Sequence, residues 1–325
     1  MITAPQFWYQ SRSWISQFLI PFSLLYQLAV IFRRTIYTIG LKKIRKFSVL
    51  IIVIGNVTVG GSGKTPLAIW LVNQLKKQGF RPGIVSRGYG GKNKDRPQIV
   101  TPNSDPHLVG DEAILLARTG FPMVVGVNRP DAIEYLLKNF NCNIVISDDG
   151  LQHYSLSRDI EIAVIDSDRQ FGNGLCMPAG PLREPKSRLN SVDFLVVKQL
   201  YPVEIYQLNN PEKKINFEEL HGKTIHAVAG LGNPQNFFHQ LELLGAKVIK
   251  HAFPDHYFYQ KKDFQFGDDK IILMTEKDAV KCREFDDKRL FCLSVSLEVP
   301  AQFLKSFFQQ VKIKIGSKYL LKTQR

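Results

Sequence analysis

No aspartate or glutamate occurs before Asp95 in this chain of 325 residues. Fourteen of its 43 Lys and Arg fall in residues 1–94, and the remaining 29 match the 29 acids that follow. The net charge of +14 therefore sits at one end of the sequence. Positive charge so placed points to a polyanion or an anionic surface. Cysteine is scarce, and Cys142, Cys176, Cys282 and Cys292 show no short pairing. That spacing argues against a disulfide framework or a zinc site and suits a reducing compartment. Internal repeats and low-complexity tracts are missing, and a hydrophobic fraction of 44% is that of a globular protein. The length allows two domains with full cores. No nucleic-acid module is recognisable, and the basic residues are not interleaved with aromatics, so no nucleic-acid partner is expected. The oligomeric state is left open; a monomer is sufficient.

A long run free of charge extends from Trp14 to Phe32. Its nineteen residues approach the ~20 needed to span a bilayer. Ser16, Ser23, Gln27 and Arg34 fall near one helical face; Trp14, Ile15, Phe18, Leu19, Phe22, Leu25, Leu28 and Ile31 occupy the others. Pro21 is a candidate kink or break. Arg33, Arg34, Lys42, Lys43, Arg45 and Lys46 follow. A signal peptide would need a basic start and a small-residue cleavage site, and both are missing. The preferred reading is an interfacial helix with a basic collar. The alternatives are a span, with the rest kept cytoplasmic by those basic residues, and a buried core helix.

What is present is strongest at Gly55-Asn-Val-Thr-Val-Gly-Gly-Ser-Gly-Lys-Thr65. It follows the apolar run Val49–Ile54 and precedes an apolar-periodic segment, Leu67 to Leu75. Strand, glycine loop and helix in this order cradle nucleotide phosphates. Gly60, Gly61 and Gly63, with Ser62 between them, let backbone N–H groups face anionic oxygens. Lys64 reaches the β/γ-phosphates and the Thr65 hydroxyl holds Mg²⁺. The standard pattern has Gly where this chain has Thr58. Strands alternating with helices through residue 197 predict a P-loop NTPase-like parallel sheet. Polar residues 201–220 read as a linker, followed by a second, smaller α/β domain. The expected division is a membrane-associating segment (1–47), a kinase core (48–215), the smaller domain (216–310) and a basic, frayed tail (311–325).

A P-loop enzyme needs an acid at a neighbouring strand end to organise Mg²⁺. Asp148 and Asp149 fit, and Asp166 competes with them; all three follow apolar strands, where α/β sheets bind ligands. Asp111 and Glu112 are candidate bases for orienting a hydroxyl nucleophile, although acids near a helix start also complement its dipole. His153 and His256 are the histidines with the most loaded neighbours. Arg87, in Arg87-Gly-Tyr-Gly-Gly91, is a candidate cation for phosphate or substrate.

Seven blocks together resemble the tetraacyldisaccharide 4′-kinase family of the lipid A pathway in Gram-negative bacteria. They are GNVTVGGSGKTP (55–66), SRGYGG (86–91), GDEA (110–113), SDDGLQH (147–153), PAGPLRE (178–184), FPDHY (253–257) and MTEKDAVK (274–281). Thr58 belongs to that family's usual pattern. The resemblance implies a kinase that moves the γ-phosphate of ATP to the 4′-hydroxyl of tetraacyldisaccharide 1-phosphate, giving lipid IVA, at the cytoplasmic face of the inner membrane. It implies ATP and Mg²⁺ as cofactors and Asp111 as base, paired with His256. It further places Lys64 on phosphate, and Thr65, Asp148, Asp149 and Glu184 near the metal. Glu112, Gln152, His153 and Arg183 match motif positions with less defined roles. The rival reading is a membrane-recruited P-loop ATPase switch of the ParA/MinD kind. Such loops carry an extra lysine where this chain has Val59. A GTPase would need an Asn-Lys-x-Asp signature, and Thr275-Glu-Lys-Asp278 is only a near miss.

Overall fold

The computed structural model of the chain describes residues 5–10, 12–60, 63–92 and 96–323, with side chains to 318. Gly61 and Ser62 lie outside the described residues. In chain order the elements are α1 (Trp14–Thr38), β1 (Leu50–Gly55), α2 (Lys64–Lys77), β2 (Pro82–Ser86), β3 (Gln98–Ile99), α3 (Pro106–Val109), α4 (Asp111–Ala117), β4 (Met123–Val125), α5 (Arg129–Asn139), β5 (Ile144–Ser147), β6 (Ile160–Asp166) and β7 (Phe194–Lys198). There follow β8 (Leu200–Gln207), β9 (Asn210–Ile215), β10 (Thr224–Ala229), α6 (Pro234–Leu243), β11 (Lys247–Ala252), β12 (Ile272–Thr275), α7 (Glu276–Ala279), β13 (Leu290–Leu297) and α8 (Ala301–Thr323).

The first sheet has seven strands in the order β3-β4-β2-β5-β1-β6-β7, parallel except for β3 against β4. Every residue of β1, β2, β5 and β6 is buried. Strands covered on both faces favour apolar runs, which is why β1 and β5 read so clearly; β6 admits Glu161 because Arg158 and Arg188 pair with it. Helix α2 buries Leu67, Ala68, Leu71, Val72 and Leu75 against this sheet's core. The loops after β1, β5 and β6 all leave at carboxyl ends, where such sheets bind ligands.

The second sheet runs β11-β10-β12-β13-β8-β9. Its first four strands are parallel; β8 adds antiparallel to β13, and β9 antiparallel to β8. Residues 201–220 are therefore not a linker. They hold a hairpin of the second sheet, and the two sheets meet near Gln199 instead of residue 215. The outer strand β9 faces solvent at nearly every position, so its polar composition suits an edge strand. The segment after residue 310 also departs from expectation. It is the second half of α8, which seals the first sheet's core with Phe307 and Val311, both fully buried. Lys318 anchors it by donating to the carbonyls of Phe47 (3.1 Å) and Val49 (2.5 Å) and pairing with Asp159.

Helix α1 runs unbroken through Pro21. Ser16 and Ser23 are its buried residues. Ser23 Oγ donates to the Cys176 carbonyl (2.7 Å), Tyr26 OH to the Arg183 carbonyl (3.1 Å), and Arg34 to Ser191 Oγ (3.0 Å). The expected polar face is thus the docked face. Trp14, Phe18, Phe22, Leu25, Leu28 and Phe32 are exposed on the other side. A core helix is excluded by that orientation. Two members of the basic collar are engaged by protein: Arg34 as above, and Arg45 by Asp131 and Glu134.

Candidate active site

The loop leaving β1 enters α2 through Gly60 (φ 102°) and Gly63 (φ 74°). Gly63 caps α2 in the left-handed region, and a Cβ there would lie 2.1 Å from the Lys198 side chain. Only glycine meets both demands. The first turn of α2 then presents Lys64 and Thr65, both buried, at the positive end of the helix dipole. Lys64 Nζ donates to Asn56 Oδ1 (3.2 Å) and pairs with Asp149 Oδ1 (3.3 Å). Thr58 has a role here: its Oγ1 accepts from Asn56 Nδ2 (3.0 Å), which orients the Asn56 oxygen toward Lys64.

Asp148 and Asp149 leave β5 beside this loop. Asp149 takes a left-handed φ of 48°, which Asp tolerates better than most residues. Burial alone would raise its carboxyl, but Lys64 and Arg183 hold it well below the usual carboxylate range. Arg183 Nη1 lies 3.1 Å from both its oxygens. Asp148 is the opposite case. It is fully enclosed, its Oδ1 has no hydrogen-bond partner, and burial followed by the Glu112 charge pushes it up to about 7. Beneath both acids lies Arg129, completely buried, donating to the carbonyls of Gly126 (2.7 Å) and Asp148 (3.1 Å). Burial pushes its guanidinium down to about 10.

Gln152 and Glu184 stand behind this pair. Gln152 Nε2 donates to the Asn56 carbonyl (3.0 Å) and to Glu184 Oε2 (3.1 Å). Glu184 also accepts from Tyr154 OH and faces Arg188. Both its oxygens are engaged, and burial raises its carboxyl. His153 is pushed down to about 3, chiefly by burial and then by Arg129 and Arg87, so its imidazole is neutral. Arg87 is exposed. Asp166 is already satisfied by Lys198 (3.2 Å) and by the N–H groups of Asp168 and Arg169. Among the described residues, no group of three or more His, Cys, Asp or Glu is placed to hold a metal by itself.

The second domain completes the site. His256 lies on the loop after β11 with φ 59°, a backbone position that costs of order 1–3 kcal/mol for a non-glycine residue. Its Nδ1 is 3.0 Å from both Asp111 oxygens, 145 positions away in sequence. Asp111 opens α4 and is 4% exposed. Burial raises its carboxyl, but the His256 hydrogen bond, Lys277 and Lys281 outweigh that and hold it low. Lys277 Nζ reaches Asp255 Oδ1 (3.0 Å) and Glu112 Oε1 (3.2 Å). A cleft of about 1280 Å³ between the domains is lined by Lys64, Thr65, Glu112, Asp255, Thr275 and Lys277, among others. The phosphate cradle lines this space directly, and Lys64 and Lys277 on its walls contact Asp149 (3.3 Å) and His256 (3.3 Å) behind them. That combination suits transfer of a phosphoryl group to a hydroxyl.

Comparison with known proteins agrees. The family model described as tetraacyldisaccharide-1-P 4′-kinase matches residues 15–312. The chain belongs to this family. A tetraacyldisaccharide 4′-kinase of Coxiella burnetii (strain RSA 331 / Henzerling II) is 63% identical over 312 residues, covering 96% of each chain. One from Methylobacillus flagellatus is 49% identical, covering 90% of each. The solved "apo" form of LpxK from Aquifex aeolicus in complex with ATP superposes with a TM-score of 0.77 at 29% identity, covering 93% of this chain and 99% of that one. As a member of the tetraacyldisaccharide-1-P 4′-kinase family, the chain is a kinase and an enzyme of lipid A synthesis.

Sequence reasoning missed four contributors to this kinase site. Asn56 lies inside the first matched block without standing out there, and Arg129, which opens α5, carries no spacing signal. Lys277 and Lys281 fall inside a matched block, yet only the tertiary fold sets them against Asp111 and His256. Lys281 Nζ lies 3.7 Å from Asp111 Oδ2.

Proposed function

We propose that this chain transfers the γ-phosphate of ATP to the 4′-hydroxyl of tetraacyldisaccharide 1-phosphate, giving lipid IVA, on the cytoplasmic face of the inner membrane. Family membership supports the reaction, and the solved relative in complex with ATP supports the nucleotide. The observation that carries the residue roles is the buried Asp111–His256 pair, closed across the two domains and joined through Lys277 to the cleft that Lys64 and Thr65 line.

Asp111 accepts the proton of the attacking 4′-hydroxyl as the new O–P bond forms and the bond to the β-phosphate oxygen breaks. His256 holds the Asp111 carboxylate in place. Lys64 and the α2 N-terminus neutralise the phosphate oxygens. Thr65, Asp148 and Asp149 are the residues that would hold Mg²⁺, and Mg²⁺ when bound offsets the charge of the β- and γ-phosphates. The unpartnered Oδ1 of Asp148, in a carboxyl driven up by burial, fits such a cation. Magnesium takes one or two carboxylates plus phosphate and water, so a closed protein cage is not required.

The exposed face of α1 supports membrane attachment. A four-chain glycolipid stays in the bilayer because each buried CH₂ is worth ~0.8 kcal/mol. The enzyme therefore meets its substrate at the surface. Docking along the length of α1 favours a helix lying in the interface over one spanning it. Full-length protein should phosphorylate a tetraacylated disaccharide 1-phosphate in the presence of ATP, with the product gaining one phosphate by mass. ATP consumption that needs no lipid would instead support the switch reading. Asp111→Ala should lower turnover by ~10²–10⁴-fold with ATP binding kept; unchanged turnover removes Asp111 from the mechanism.

A further inference from the structure

Lys277 makes three contacts with one ammonium group: Asp255 Oδ1 at 3.0 Å, Glu112 Oε1 at 3.2 Å and His256 Nε2 at 3.3 Å. An ammonium has three N–H donors and no acceptor. Three acceptors therefore use all of its protons. The third contact decides the state of the imidazole, because a ring nitrogen facing a pure donor must offer its lone pair. Nε2 is the acceptor, and the ring proton sits on Nδ1, where it donates to Asp111.

We propose that Lys277 is a positioning residue that locks His256 as the neutral Nδ1–H tautomer and so keeps Asp111 a free carboxylate, ready to accept the proton of the substrate hydroxyl. This rests on the reading of Asp111 as the base. It goes further by assigning a role to a residue that touches neither nucleotide nor lipid hydroxyl in the scheme above.

The charges around the ring show why a lock is needed. Asp111 and Glu112 face it from α4, Asp255 from its own loop, and Lys277, Asp278 and Lys281 belong to α7 and the turn after it. The Tyr89 ring lies 5.1 Å away. Asp278 is spent on Lys281 (2.8 Å), the Gly230 N–H (3.0 Å) and the Thr275 hydroxyl (2.7 Å). Asp255 is different. Its Oδ1 lies 3.7 Å from His256 Nε2, with Glu112 on the far side of the same lysine. Without the Lys277 ammonium, these two carboxylates would draw a proton onto Nε2. The ring would then be an imidazolium paired with Asp111, and a carboxylate so paired is a weaker base. The lysine also joins α4 of the first domain to α7 of the second, so the tautomer is set only when the two domains are together.

The test uses full-length protein in detergent with ¹⁵N-labelled histidine, the His256 nitrogens being assigned by their loss in His256→Gln. In the unmodified protein at pH 7.5, Nδ1 should read as protonated and Nε2 as an unprotonated acceptor. Lys277→Met should protonate Nε2. It should lower kcat by ~10–10²-fold at pH 7, within the range that general-base efficiency spans, and leave KM for ATP within about twofold. Because the imidazolium forms on the acid side, the loss should be greater at pH 6 than at pH 8.5, moving the acid limb of the kcat profile up by about one unit. Lys277→Arg keeps a cationic donor and should keep the acid limb in place. The proposal is overturned if Nε2 carries the proton in the unmodified protein, a result that needs no variant to fold. It is equally overturned if Lys277→Met leaves the tautomer and the acid limb where they were. Full activity in Asp111→Asn would sink the base reading instead, while the His256 nitrogens still report on Lys277 alone.

Discussion

The two terminal helices are nearly equal in length and opposite in construction. Helix α1 spans 25 residues and turns Ser16, Ser23 and Tyr26 inward and Trp14, Phe18, Phe22 and Phe32 outward. Helix α8 spans 23 and buries Phe307 and Val311 while leaving Lys305 and Lys312 exposed. The second arrangement is the ordinary one, an apolar stripe facing the core. The first is stable in water only at a cost, since a contiguous apolar patch of this kind marks an interaction surface. Composition separates them in part, for among the described residues α1 alone is long and apolar enough to cross a membrane. What decides their roles is the surface each one meets. The lobe around Cys176, Leu182 and Val57 offers α1 carbonyl acceptors that suit Ser23 and Tyr26. The open flank of the first sheet offers α8 a hydrophobic seat.

The largest expected effect falls on the outer face of α1. Replacing Phe18, Phe22 and Leu25 by serine removes about 1.5–3 kcal/mol of apolar transfer per side chain. Vesicle binding should fall by ~10³-fold or more, while the melting temperature holds, because none of the three is packed in the fold. Vesicle flotation with anionic lipid checks this, and a triple variant that still floats would break the contrast between the helices. Next comes Phe307→Ala in α8, which should destabilise the protein by about 3–5 kcal/mol through an unfilled core site. Ile313→Ala, on the exposed side of the same helix, should stay within about 0.5 kcal/mol. Equal denaturation midpoints for these two would mean that α8 is not part of the first domain's core. Smaller again is Ser23→Ala, which removes one of two donors to the Cys176 carbonyl, the Gly180 N–H remaining at 3.0 Å, and should cost about 0.5–1.5 kcal/mol. Its signature is faster amide exchange in α1, and unchanged exchange would show that the serine face does not hold the helix down.

Much of the fold was legible because its signals are local. Strands β1 and β5 are runs of Leu, Ile and Val up to their last residues, β6 is apolar apart from Glu161 and its terminal Asp166, and the glycine loop announces its own turn. The hairpin β8–β9 was not legible. Its outer strand packs against little, so Glu212, Lys213 and Lys214 read as linker when they form a solvated edge. The end of α8 was misread for a related reason. Its lysines suggested a loose tail, whereas Lys318 is tied to two carbonyls and a carboxylate far away in sequence. At the site, Asp111, His256, Lys64, Asp148 and Asp149 all stand out in the sequence, and the structure pairs Lys64 with Asp149 and His256 with Asp111. Glu184 reaches that cluster only through Gln152. Asp166 and Lys198 neutralise each other, a pairing across neighbouring strands that spacing along the chain does not reveal.

From the sequence alone come the phosphate loop, the order of the matched blocks, the acid-free and basic first third, and a helix with one polar face. These depend on residue identity and on spacing within a few turns of chain. Tertiary structure alone decided which face of α1 is outside, that α8 closes the first domain, and that His256 meets Asp111 across 145 positions. It also placed the Lys277 ammonium against Nε2 of His256. The physical reason is the same in each case. Burial, charge pairing and the tautomer of an imidazole are set by whatever lies within about 4 Å, and for these groups that neighbour comes from a distant part of the chain.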